Sequence, residues 1–204
     1  MTAAGPRVAL VGCGILRAEI DALIARNGWI VETRLLGAAL HDDPPALARA
    51  LEAALGGAPR PCVLVGYGAC SPGLDALVAR RGAIRLAGDN CVAQLLGEGR
   101  YHDALADGAY FLLERWARDW PRAMPRTFGP KLSVLREIFH VDRRYLLALE
   151  TPCSSDFHAA AERAARDADL PLRWARAPLE PLEAALGDAL ARARATTDLR
   201  EVAR

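Results

Sequence analysis

Arg7-Val8-Ala9-Leu10-Val11-Gly12-Cys13-Gly14 is the stretch that decides the fold. Its apolar residues run on without polar alternation, as in a strand covered on both faces, and Gly-Cys-Gly then turns the chain sharply. Ile20, Leu23 and Ile24 follow at helical spacing, and Asn27-Gly28 stops that helix. The same pattern of strand, glycine turn and helix returns at Cys62-Val63-Leu64-Val65-Gly66-Tyr67-Gly68-Ala69-Cys70, with Ser71 placed to cap the next helix and Pro72 at its first position. A third instance runs through residues 83–87 into Gly88-Asp89-Asn90-Cys91 and a helix over 92–105.

Working outward, residues 29–36 read as the second strand. Asp42 or Asp43 caps a helix whose inner side carries Leu47, Leu51 and Leu55. Residues 109–113, 145–149 and 172–175 read as later strands. Helices are expected over 114–120, 132–139, 156–167 and 179–195, an irregular connection over 121–130, and a frayed tail after 196. This alternation predicts a single α/β domain over 1–204. Its sheet is mostly parallel, doubly wound and Rossmann-like, with helices on both faces. Residues 114–141 break the rhythm and are expected to form a helical insertion or lid.

Composition narrows the function classes. The 204 residues are 52% hydrophobic and 25% charged, enough for a real core and far from a disordered profile. The formal net charge of +1 gives no field for nucleic acid or anionic lipid. Apolar runs are too short to span a bilayer, and residues 1–5 lack the basic, then apolar, pattern of a secretory leader. The expectation is a cytoplasmic protein with no nucleic-acid or membrane partner. Five cysteines in a reducing compartment are then thiols rather than a disulfide framework.

In open α/β sheets, ligands bind beyond the carboxyl ends of the strands. Cys13, Cys70 and Cys91 all fall there, each with a glycine shortly before it, and each begins or precedes a helix whose N-terminus favours a thiolate. Converging thiolates suit soft metals, so these three are the expected ligands of zinc or of an iron–sulfur cluster. His41 follows the second strand on the same edge. It is expected near the metal, either as a fourth ligand or in acid–base work at an open position, with the latter preferred. Cys62 opens a strand at the opposite end and reads as core filler, and Cys153 as incidental. Neither a complete dinucleotide-binding turn nor a Walker loop is present: Arg17 stands where the third glycine belongs. Trp116 and Trp120 read as packing residues.

These motifs resemble a bacterial and archaeal family known only as domain of unknown function sixteen thirty-eight. The resemblance rests on Gly12-Cys13-Gly14-Ile15-Leu16, Leu40-His41-Asp42-Asp43-Pro44, Gly66-Tyr67-Gly68-Ala69-Cys70, Asp89-Asn90-Cys91 with Leu95-Leu96-Gly97, and Gly108-Ala109-Tyr110-Phe111-Leu112 with Trp116. It extends from Arg7 to about Leu190. Asp89 and Asn90 stand where the family carries His-Asp, and Ser71-Pro72 replaces Gly-Asn, so this chain lacks the family's histidine for proton transfer at that place. Members are often encoded near corrinoid-dependent methyltransferases, which implies a small-molecule substrate, or a corrinoid or methyltransferase partner, in one-carbon metabolism. Tyr67, Asp89 and Asn90, which flank the cysteines, are expected to help hold the bound group. Three readings stay open: a metalloprotein, a metal-free thiol enzyme using Cys91 or Cys70, and a non-catalytic binding module.

Overall fold

The computed structural model describes residues 8–67 and 73–202, without the side chains of 42, 65 and 197–202. Strands β1 (Val8–Cys13), β2 (Val31–Leu36), β3 (Cys62–Val65) and β4 (Ile84–Arg85) form a parallel sheet in the order β2-β1-β3-β4. Every residue of β1 is buried, which is why its sequence carries no polar alternation. Helix α1 (Arg17–Asn27) ends at Gly28 with φ 61°, and α2 (Pro44–Gly57) is capped by Asp43, whose Oδ1 accepts the Ala46 N–H at 2.9 Å. Helix α3 (Leu74–Arg81) leads into β4. The expected cap at Ser71 lies outside the described residues.

The helix expected over 92–105 is two helices, α4 (Cys91–Leu96) and α5 (Glu98–Ala106), broken at Gly97 with φ 81°. Strands β5 (Ala109–Leu113), β6 (Tyr145–Glu150) and β7 (Leu172–Arg176) then form a second parallel sheet in the order β5-β6-β7. The parallel α/β architecture agrees with the sequence reading, but the strands divide between two sheets. Alternation along β5 and β6 explains the packing. Phe111, Leu113, Tyr145 and Leu149 join the main core with the first sheet, whereas Leu112, Leu146 and Ala148 join a smaller core beneath the helices that follow.

Those helices are α6 (Glu114–Phe128), α7 (Leu132–Asp142) and α8 (His158–Ala168). The segment 114–141, expected as an insertion or lid, supplies the crossover from β5 to β6. The irregular stretch expected over 121–130 is a correction. Helix α6 runs through Pro121 and Pro125 to Phe128, because Trp116, Trp120, Met124 and Phe128 make a continuous inward stripe whose burial outweighs two lost backbone hydrogen bonds. Helix α9 (Glu180–Val202) returns to pack on the first sheet. No helix among the described residues is long and apolar enough to cross a membrane.

Candidate functional site

The carboxyl ends of β1, β2 and β3 bring the site together. Cys13 closes β1 and is fully buried; His41 lies half-buried in a 3₁₀ turn, Ala38–Asp42, directly after β2. The parallel pairing of Cys13 with Leu36 sets both on one edge, and the Cys13 Sγ lies 3.4 Å from His41 Nε2. Tyr67, buried just past β3, stacks at a tilt near the imidazole with ring centroids 6.0 Å apart.

Gly66 explains how these turns fit so closely. Its φ is 79°, and a Cβ there would stand 3.0 Å from the Cys13 Cβ, so only glycine lets the β3 turn pass β1. The Gly66 N–H donates to Gln94 Oε1 at 2.7 Å, which ties that turn to α4. Gly88 is shaped by the same brace: with φ 111°, a Cβ would lie 2.7 Å from Gln94 Cγ.

Cys91 is the first residue of α4 and almost wholly buried. Asn90 caps this helix. Its Oδ1 accepts the N–H groups of Val92 and Ala93 at 2.9 and 3.0 Å, and its Nδ2 donates to Tyr101 Oη at 2.7 Å. Asn90 thus positions Cys91, a role its side chain earns through the cap. Asp89 turns the other way, to the surface, where its carboxylate meets His102 Nε2 at 3.1 Å. Asp89, Glu98 and His102 are, among the described residues, the one set of three ligand-type groups within 4.8 Å of one another, and all three are exposed.

Cys70 lies outside the described residues. Cys62 sits at the far end of β3, and burial pushes its thiol up to about 11. Cys153 follows β6, its thiol raised by burial and then by Glu19, and it borders a second cavity with Gly14 and Ile15.

A cavity of about 670 Å³ opens beside these residues, with His41, Asn90 and Cys91 in its wall. The opposite wall is α6, which the sequence reading assigned to an insertion and its tryptophans to packing. Trp120 does pack, edge-on to Tyr110 and Phe139, yet it and Trp116 also face the cavity. The helix is anchored at its start. Burial opposes ionisation of Glu114, but hydrogen bonds from Ser155 and from Arg118 hold its carboxyl below the ordinary range. The signal for this wall was present in the four-residue spacing of Trp116, Trp120, Met124 and Phe128, obscured by the two prolines between them.

Comparison with known proteins adds a family. The model described as "Protein of unknown function (DUF1638)" matches residues 35–186, which takes in His41, Cys70 and Cys91 and leaves Cys13 before its start. No curated protein matches the chain. Among solved structures, a sugar transporter from Clostridium phytofermentans is similar over 91% of this chain and 92% of its own, at 10% identity and a TM-score of 0.41. A likeness at that score carries no argument about fold or function.

Proposed function

The chain belongs to the DUF1638 family of proteins of unknown function, and from that premise we propose that it is a metalloprotein with a thiolate–imidazole centre opening on a small-molecule cavity. Cys13 and His41 form its core, with Cys70 and Cys91 as the further sulfurs. Cys91 does not lie within 4.8 Å of both Cys13 and His41, so it would join them only after the α4 turn closes in or through a centre larger than one ion. The observation that carries the reading is the 3.4 Å between Cys13 Sγ and His41 Nε2. A sulfur and a nitrogen on one tetrahedral zinc stand about 3.5 Å apart, given bonds of about 2.3 and 2.0 Å. That separation admits His41 as a ligand beside the acid–base role the sequence suggested. A cluster, whose cysteines bind different irons, suits sulfurs set further apart than one ion allows. With all four ligands a zinc there would be closed and structural, with three it would keep a position for a Lewis-acid role, and a cluster would supply electron transfer. The expected setting is methyl transfer or one-carbon metabolism, with a small substrate or a corrinoid or methyltransferase partner at the cavity.

The same distance also fits a metal-free pair in which imidazole takes a thiol proton. The burial of Cys13 weighs against that use, since a nucleophile has to reach its substrate. Cys91, in the cavity wall, is the better nucleophile if no metal binds.

Protein purified without oxygen, analysed for zinc, iron and acid-labile sulfide, tests the reading. Near-stoichiometric metal in the wild type, lost in Cys13→Ala and in His41→Ala, supports it. Metal-free wild type whose Cys91 alone is rapidly alkylated assigns the site to thiol chemistry instead.

A further inference from the structure

The cavity's far wall carries chemistry that the metal centre does not use. Helix α6 presents two adjacent stripes to it. Trp116, Trp120, Met124 and Phe128 recur every four residues and make an aromatic and apolar band. Arg115, Asp119, Arg122 and Arg126 recur at i, i+4, i+7 and i+11 and make a charged band alongside. Eleven residues of helix span about 16 Å, the length of a sizeable organic molecule.

The charges in the second band do not cancel. Asp119 pairs with Arg122, and Arg143, which also borders the cavity, pairs with Asp142 at 3.4 Å. Arg115 and Arg126 make no ion pair or hydrogen bond among the described residues, and both stand exposed at the rim. Arg115 also borders a second cavity of about 410 Å³. A further donor waits in the aromatic band. Trp120 is 1% exposed, and its indole N–H has no acceptor among the described residues. Indole N–H only donates, so this one is available to an acceptor that enters the cavity.

We propose that this cavity binds a small anionic molecule with a planar apolar body, the body lying along the Trp116–Phe128 band and an acid group at its end meeting Arg115 at one end of the band or Arg126 at the other. Guanidinium forks suit carboxylate, sulfonate and phosphate alike, and flat rings suit the tryptophans. The inference deepens the small-molecule reading of the same cavity, and it is independent of which metal, if any, the cysteines hold.

Two dyes of one shape test it. 8-Anilinonaphthalene-1-sulfonate carries an acid group; N-phenyl-1-naphthylamine has the same rings without it, and both brighten in apolar surroundings. Titrated into the full chain, the sulfonate binds more tightly than the neutral dye. In an Arg115→Gln, Arg126→Gln double variant its Kd rises roughly tenfold, while the neutral dye binds as before. Arg192→Gln, an exposed arginine on α9 outside the cavity wall, changes neither. Equal affinity of the two dyes for the wild type overturns the inference, as does a preference that survives the double variant. A parallel loss of both dyes overturns it too, because it assigns the arginines to the cavity's shape rather than its charge. Metal analysis of the same preparations keeps the two readings apart. Absent metal with intact dye preference removes the metal centre alone; bound metal without dye preference removes this inference alone.

Discussion

Among single residues, the cysteines show how position along a strand decides chemistry. Cys13 ends β1 and Cys62 begins β3; both are buried, yet only Cys13 meets a histidine. Cys62 faces core, and desolvation lifts its thiol from 9.0 to about 11. The native state therefore holds that proton more tightly than the unfolded chain does. The resulting stabilisation is complete below pH 9.0 and is lost as pH rises through about 11. Cys62→Ala should flatten this alkaline decline in urea-melt stability, cost about 1 kcal/mol at neutral pH through lost packing, and leave metal content unchanged. A variant that loses metal while keeping its fold would move the centre to the other end of the sheet. The glycines are legible for the same reason. Gly66 and Gly88 were visible as turn residues in the sequence, but the need for them comes from Cys13 and Gln94, neighbours that only the folded chain supplies.

Helix α6 is the element where local preference and tertiary packing oppose each other. Pro121 and Pro125 remove the N–H groups that would bond to Ala117 and Pro121, and each ring crowds the preceding turn. The helix persists because its other side is held: Trp120 lies against Tyr110 and Phe139, and Glu114 is fixed by Ser155. The prolines themselves are exposed. Pro121→Ala restores one backbone bond without touching the buried stripe, and should raise stability by about 1–3 kcal/mol, read from the urea midpoint at unchanged slope. An unchanged or lower midpoint would show that α6 has adapted its geometry to the ring. Sequence reading stopped this helix at Trp120 because proline is a strong local signal and the stripe beyond it, Met124 and Phe128, is short.

At the scale of the molecule, α9 joins what the chain order separates. It follows β7 of the second sheet but packs on β1, β3 and β4 of the first, and Glu183 takes hydrogen bonds from Arg26 and Asn27 at the end of α1. Its buried side includes Leu182, Leu186 and Leu190. Leu186→Ala should cost about 2–4 kcal/mol, and far-UV circular dichroism and tryptophan fluorescence should still report one coincident transition, since Trp29 lies in the first half and Trp116, Trp120 and Trp174 in the second. Two separated transitions would mean that the sheets melt apart despite the shared helix. By itself the sequence determined the parallel strand–helix alternation, the caps at Asn27-Gly28 and Asp43, and the single edge on which Cys13 and His41 lie. Periodicity and turn chemistry are local, and they are written in neighbouring residues. The tertiary structure alone decided that the strands form two sheets, that Asp89 turns outward while Asn90 holds the α4 cap, and that α6 walls a cavity with His41 and Cys91 opposite. Those outcomes depend on contacts between residues far apart in the chain, where packing energy rather than local preference selects the arrangement.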